Sequence, residues 1–332
     1  MVIRQKLSRG DQYCDSSVNG LTNRQMLIYI ISMKTSDKDN KIRRASIYKF
    51  LFLTFLFGWS AQVIAILNGG PSGNGQIWLN LAMWTPAIAA LVTATSLRDL
   101  AFRSLKKAGF LFWGWAFILG WLPSIISWAI YYVFGLGNLN SEKFIFNSLT
   151  HEITIKGLAT VLGNHPQSLL FFCFNYLISL SLAGIIFAPL LGLGEELGWR
   201  GVLQPAMEFE TKSFFRTCLF IGVIWSTWHL PINLSGYNDS LHPLWSTFVF
   251  FPFYVIGHAF AYGWLTKKSG SVWPAAIAHM SNNSIQSGQI MKADSWLSEQ
   301  IVTIIGMTIT VGIIFYLYGK TKKIILKPPT LN

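Results

Sequence analysis

SLLFFCFNYLISLSLAGIIFAPLLGLGEELGWR, residues 168–200, decides how the chain is read. From Ser168 to Gly194 it carries no charge, and then Glu195, Glu196 and Arg200 follow within six residues. Crossing a hydrocarbon core of ~30 Å takes about 20 apolar residues at 1.5 Å rise each. This stretch is a membrane span that ends on a charged cluster. Similar apolar runs fall at about 47–67, 77–97, 111–135, 215–234, 244–266, 272–291 and 298–319, which gives eight in all. The reading is therefore an all-α polytopic membrane protein.

The composition agrees. Of 332 residues, 52% are hydrophobic and only 12% charged, about half the ~25% of an average soluble domain. Mean hydropathy is +0.42. A soluble enzyme, a disordered chain and a collagen-like chain are all excluded. The net charge of +12 does not indicate nucleic acid, because the basic residues sit in short clusters between apolar runs. With the N-terminus in the cytosol, 23 of the 26 Lys and Arg fall on the inner side, leaving Lys143, Lys156 and Lys292 outside. Both termini are then cytosolic and the protein is integral to a membrane, expected to be a bacterial cytoplasmic one. Cys14, Cys173 and Cys218 fit neither a disulfide framework nor a metal-ligand spacing.

This layout divides the chain into a polar basic extension (1–45), a membrane domain (46–320) with its motif-bearing core at about 168–291, and a basic tail (321–332). Within the extension, residues 1–32 read as an upstream addition. Residues 98–110 mix basic and apolar positions and are expected along the inner surface. The longest loop, 136–167, carries no assignable element.

Ionisable groups inside a bilayer cost several kcal/mol and are functional candidates by default. Three clusters qualify: Glu195-Glu196-x-x-x-Arg200, Trp225-x-x-x-His229 and His279-x-x-x-Asn283. Glu196 and Arg200 are four apart on a helix, so they share a face and can pair. Glu195 is rotated about 100° from Glu196 and is left free for chemistry. His279 and Asn283 project together, and Trp225 walls one side of a cavity one turn before His229.

The three ordered motifs resemble those of the CPBP intramembrane proteases, relatives of the type II CAAX prenyl endopeptidases. They are similar to E-E-x-x-x-R, F-x-x-x-H (here with Trp225 in place of Phe) and H-x-x-x-N/D. The resemblance implies hydrolysis of peptide bonds in membrane-associated peptides or protein tails. Glu195, assisted by His229, would activate a water, and His279 and Asn283 would donate to the oxyanion. Glu196 and Arg200 would hold the geometry. No H-E-x-x-H spacing exists, so no resident cofactor is expected, zinc on Glu195, His229 and His279 being the alternative that family naming as metalloproteases suggests. Trp225 is expected to alter cavity shape rather than chemistry. A non-catalytic membrane partner on the same fold, and a transporter, are the competing functions.

Depth poses a puzzle. Glu195 lies near the cytosolic end of its run, His279 about 7 residues in and His229 about 14 (~21 Å). A fifth helix that starts below the membrane surface, or a bend in the fourth at Pro189, Gly192 or Gly194, would reconcile them, with a cavity open to the cytosol as the expected compromise. Of the other histidines, His151, His165 and His242 are expected in or near outer loops, with His258 mid-span.

Overall fold

A computed structural model describes residues 23–93 and 109–320, with side chains from Ala45 onward apart from that of Ser72. The inner-surface segment expected at 98–110 falls almost wholly outside the described residues. So do residues 1–22 of the extension and the tail 321–332. The chain divides into two units, Met1–Ala45 and Ser46–Asn332. In the first, the described backbone is helical. Everything below concerns the second.

The helices are α1 (Asn23–Leu67), α2 (Gly75–Thr93), α3 (Phe110–Phe134), α4 (Leu169–Thr211), α5 (Phe214–Trp228), α6 (Leu230–Leu234), α7 (Pro243–Ser269), α8 (Trp273–Ser287) and α9 (Trp296–Lys320). Six are long and apolar enough to cross a membrane: the Ala45–Leu67 part of α1, and α2, α3, α4, α7 and α9. Their outer faces carry large apolar side chains with no protein neighbour to cover them, among them Phe52, Tyr132, Leu170 and Phe248. Lipid is the solvent such faces require.

The fifth and seventh runs form shorter helices than expected, each of 15 residues. The fifth breaks at His229, where φ −81° and ψ 2° leave the α region just before Leu230-Pro231. The seventh begins inside the protein, because the turn ahead of it is buried at Ser271 and Val272. Pro274 through Asn282 of α8 are all buried, packed among α3, α4 and α7. A helix enclosed by other helices need not be apolar on every face, which is why α8 can carry His279, Ser281 and Asn282.

The loop at 136–167, without an element in the sequence reading, contains strands. β1 (Gly137–Leu139) pairs antiparallel with β5 (Met291–Ala293), and β2 (Phe144–Asn147), β3 (Glu152–Ile155) and β4 (Gln167–Ser168) form a second sheet. Phe144, Ile153 and Ile155 give this cap its own apolar core against Phe172 and Tyr176 of α4.

The largest departure is α4. The sequence reading ends this span at Gly194, whereas the helix continues to Thr211. It does so through two wide π turns, Ala188–Gly192 and Leu197–Leu203. Pro189 lies in the first of them, where a widened turn accommodates a residue without an N–H. The charged cluster does not end the helix: its side chains are buried within the protein, with Glu196 facing Arg200 and His279. Lys212, in the left-handed region at φ 54°, closes α4, and Ser213 caps α5 by accepting the Arg216 N–H at 3.4 Å.

Candidate active site

Two glycines bring α2 against the part of α4 that carries the glutamates. A Cβ on Gly194 would lie 2.5 Å from the Met83 carbonyl oxygen, and one on Gly198 would lie 2.5–2.9 Å from Pro86. Only a bare backbone fits at this spacing, and the two positions are one helical turn apart. The contact fixes the rotation of α4, and with it the direction of the side chains between.

Glu195, 2% exposed, accepts two indole N–H groups on Oε2, from Trp225 at 2.6 Å and from Trp199 at 3.3 Å. Glu196, fully buried, faces two cations or potential cations. Its Oε2 lies 3.3 Å from Arg200 Nε, and its Oε1 lies 3.0 Å from His279 Nδ1. The buried Arg200 guanidinium stands over the rings of Trp225 at 4.7 Å and Tyr262 at 5.5 Å. Aromatic faces offset part of the cost of burying it.

His229 Nδ1 lies 3.0 Å from the Trp225 carbonyl oxygen. A carbonyl only accepts, so Nδ1 carries the proton and Nε2 is left for other work. His279 sits against the rings of Tyr262 at 5.6 Å and Trp225 at 5.4 Å. Its Nδ1 is committed to Glu196, so donation from its other nitrogen would make the ring cationic, with Glu196 as counter-charge. The Asn283 amide makes only a 3.9 Å contact to Met280 Sδ, while its carbonyl accepts from Asn282 at 3.3 Å.

A cavity of about 490 Å³ joins these groups. Glu195, His229, His279 and Asn283 line it, whereas Glu196 and Arg200 do not. The depth puzzle closes on the same geometry. Glu195 is 16 residues before the end of α4 and His229 is 15 after the start of α5, so both lie ~22–24 Å from the turn that joins the helices. The fourth helix ends at Thr211, well beyond the Gly194 end of the sequence reading. His279 joins them after fewer residues because α8 starts at a buried turn.

Several contributors were missed or undervalued in the sequence. Trp225 does more than shape the cavity, since its indole bonds the Glu195 carboxylate, which a Phe could not do. Trp199 was legible as i+4 from Glu195 but was given no role in the sequence reading. His258, 3% exposed, lines the cavity between Tyr254 at 4.4 Å and Tyr262 at 5.1 Å, with neither ring nitrogen bonded within the protein. Tyr254 donates to Asn282 at 2.9 Å.

Of the remaining histidines, His242 flanks the loop at the cavity's mouth. There Asp239 accepts the His242 N–H at 2.9 Å and the Leu241 N–H at 3.0 Å, together with the Trp296 indole. Burial pushes the Asp239 carboxyl up, but these bonds outweigh it and hold its pKa below the ordinary value. His151 and His165 lie in the strand-bearing loop, away from the cavity. Cys173 and Cys218 are unpaired thiols.

As for zinc, no three His, Cys, Asp or Glu side chains among the described residues are grouped to hold a metal ion. As they stand, Glu195, His229 and His279 form no such group.

These features define a helical membrane protein with a buried acid–histidine–amide cluster opening into a cavity. Residues 174–285, about one third of the chain and the part that carries the cluster, match the family model described as type II CAAX prenyl endopeptidase Rce1-like. That match supports membership of the CPBP family, a family of membrane proteases. The chain is also similar to NADH-quinone oxidoreductase subunit N of Leptospira biflexa serovar Patoc (strain Patoc 1 / Ames). The two are 28% identical over 192 residues, 53% of this chain. The chain spans 37% of that relative's length.

Proposed function

We propose that the protein is an intramembrane endopeptidase whose nucleophile is a water activated by Glu195. Eight helical passages cross a bacterial cytoplasmic membrane with both termini in the cytosol, α5 with α6 and α8 completing the six longer spans. The observation that carries the reading is the division between adjacent carboxylates: Glu195 lines the cavity, while Glu196 is turned away onto Arg200 and His279.

Glu195 takes a proton from water as its oxygen adds to the scissile carbonyl, with His229 Nε2 orienting that water. The carbonyl oxygen becomes an oxyanion that accepts hydrogen bonds from His279 and the Asn283 amide. Collapse of the intermediate breaks the C–N bond, and the proton held by Glu195 passes to the leaving amine. General base catalysis contributes typically about 10²–10⁴-fold. An oxyanion donor contributes about 10²–10³-fold. Glu196 supplies the charge against which Arg200 and a doubly protonated His279 can be buried. No step uses a metal, so chelators should leave activity intact.

The test is a mass-spectrometric comparison of peptide termini in membranes from cells carrying the wild-type chain and cells carrying Glu195→Ala at equal abundance. Termini present only with the wild type support the reading. Identical sets of termini would contradict it.

A further inference from the structure

The cavity has a direction. Its exposed lining residues, Gln76, Tyr237, Asn238, Gln286, Ser287 and Glu299, all belong to the same end of the helix bundle. That end carries the connections 68–74, 235–242 and 288–295 and the strands. They are tied together by the β1–β5 pairing, by Asn140 donating to the Gln289 carbonyl at 3.0 Å and by the Trp296–Asp239 bond. At the opposite end lie the turns at 212–213 and 270–272, with Lys212, Arg216, Lys267 and Lys268 on or beside them. None of these four basic residues lines the cavity. On that side the site is closed by packed side chains, with Gln204 donating to the Gly263 carbonyl at 3.0 Å and Lys267 paired with Glu208.

Basic residues mark the cytosolic face of a membrane protein. We infer that the Glu195 cavity opens on the extracytoplasmic face and takes extended polypeptide segments displayed there, rather than a protein tail held in the cytosol. This rests on the proposed protease reading for what happens to the segment, and on the proposed orientation for which face it is. It replaces the cytosolic opening that the sequence had led us to expect. The chemistry of the mouth suits a polypeptide backbone. Gln76, Asn80, Asn238, Gln286 and Gln300 line the cavity with carboxamides, each carrying the donor and the acceptor of a peptide group and no net charge.

The opening can be tested without knowing the substrate and without catalysis. Full-length chains with Cys14→Ala, Cys173→Ala and Cys218→Ala would each receive one new cysteine: Gln286→Cys or Gln76→Cys in the cavity wall, Leu149→Cys on the exposed strand-bearing loop, or Arg216→Cys on the basic end. A membrane-impermeant sulfonated maleimide is then applied to intact bacterial cells and to permeabilised ones. The expected result is labelling of Gln286→Cys, Gln76→Cys and Leu149→Cys in intact cells, with Arg216→Cys labelled only after permeabilisation. Protection of both cavity positions in intact cells while Leu149→Cys is labelled would overturn the opening. Labelling of Arg216→Cys alone in intact cells would overturn the orientation. Adding Glu195→Gln should leave the labelling unchanged, so a chain that labels as expected but cleaves nothing would refute the protease reading and leave the opening standing.

Discussion

At the scale of single residues, the account turns on two adjacent glutamates with different partners. Glu196→Gln removes the only carboxylate paired with Arg200 among the described residues, leaving a buried guanidinium with two rings for company. Breaking a buried pair costs about 3–5 kcal/mol. The variant should melt at a clearly lower temperature in detergent, partly recovered by Arg200→Gln on the same chain; a melting curve that does not move would remove the structural role. Trp225→Phe tests a different point. Losing a hydrogen bond to a charged group is worth about 1.5–3 kcal/mol, so cleavage should slow roughly tenfold or more while the helix content is kept. Unchanged cleavage would make the indole bond incidental. The spacing of four between Glu196 and Arg200 was legible because helix periodicity states it. The Trp225–Glu195 bond was not, because sequence does not say which edge of an indole meets a carboxylate 30 positions away.

Among the elements, α4 shows where apolar patterning stops being informative. A run of uncharged residues locates a span, but its end is set by whether the following charges must reach water. Glu195, Glu196 and Arg200 are buried, Glu195 held by two indoles and Glu196 facing Arg200 and His279, and the helix runs on to Thr211 through its two π turns. The strands between α3 and α4 were invisible for a related reason: they are two to four residues long, and β1 is held by a partner far away in the chain, β5, while β2, β3 and β4 pair among themselves. The α2–α4 contact can be challenged directly. Gly198→Ala places a methyl against the Pro86 backbone, an overpacking that costs about 1–3 kcal/mol. It should lower both the melting temperature and the activity, whereas Gly114→Ala, with open space around it, should alter neither. Equal behaviour of the two would argue that α2 does not set the rotation of α4. At the mouth, Asp239 binds the 235–242 loop to the start of α9. Its lowered pKa means this contribution is present above the ordinary aspartate value of ~3.9 and lost as pH falls through the lower folded value. Asp239→Asn should therefore reduce thermal stability at pH 7, by an amount that shrinks in acid.

For the molecule as a whole, the distribution of basic residues and the direction of the cavity bear on one orientation. A tag following Asn332 should be cytosolic and one at Gly73 external; a cytosolic Gly73 tag would overturn the eight-passage layout. The membrane class was open to reading because every passage must satisfy the same solvent, and lipid demands long uncharged stretches. Which runs would form shortened helices, as α5 and α8 do, and which would be enclosed, as α8 is, depended on packing among helices that composition does not encode. The most direct test of the central claim is the rate at which purified wild-type and Glu195→Gln proteins generate new termini in a proteome-derived peptide library, at equal folded amounts. The account predicts a loss of about 10²-fold or more with folding intact. A Glu195→Gln chain that cleaves as fast as the wild type would contradict it.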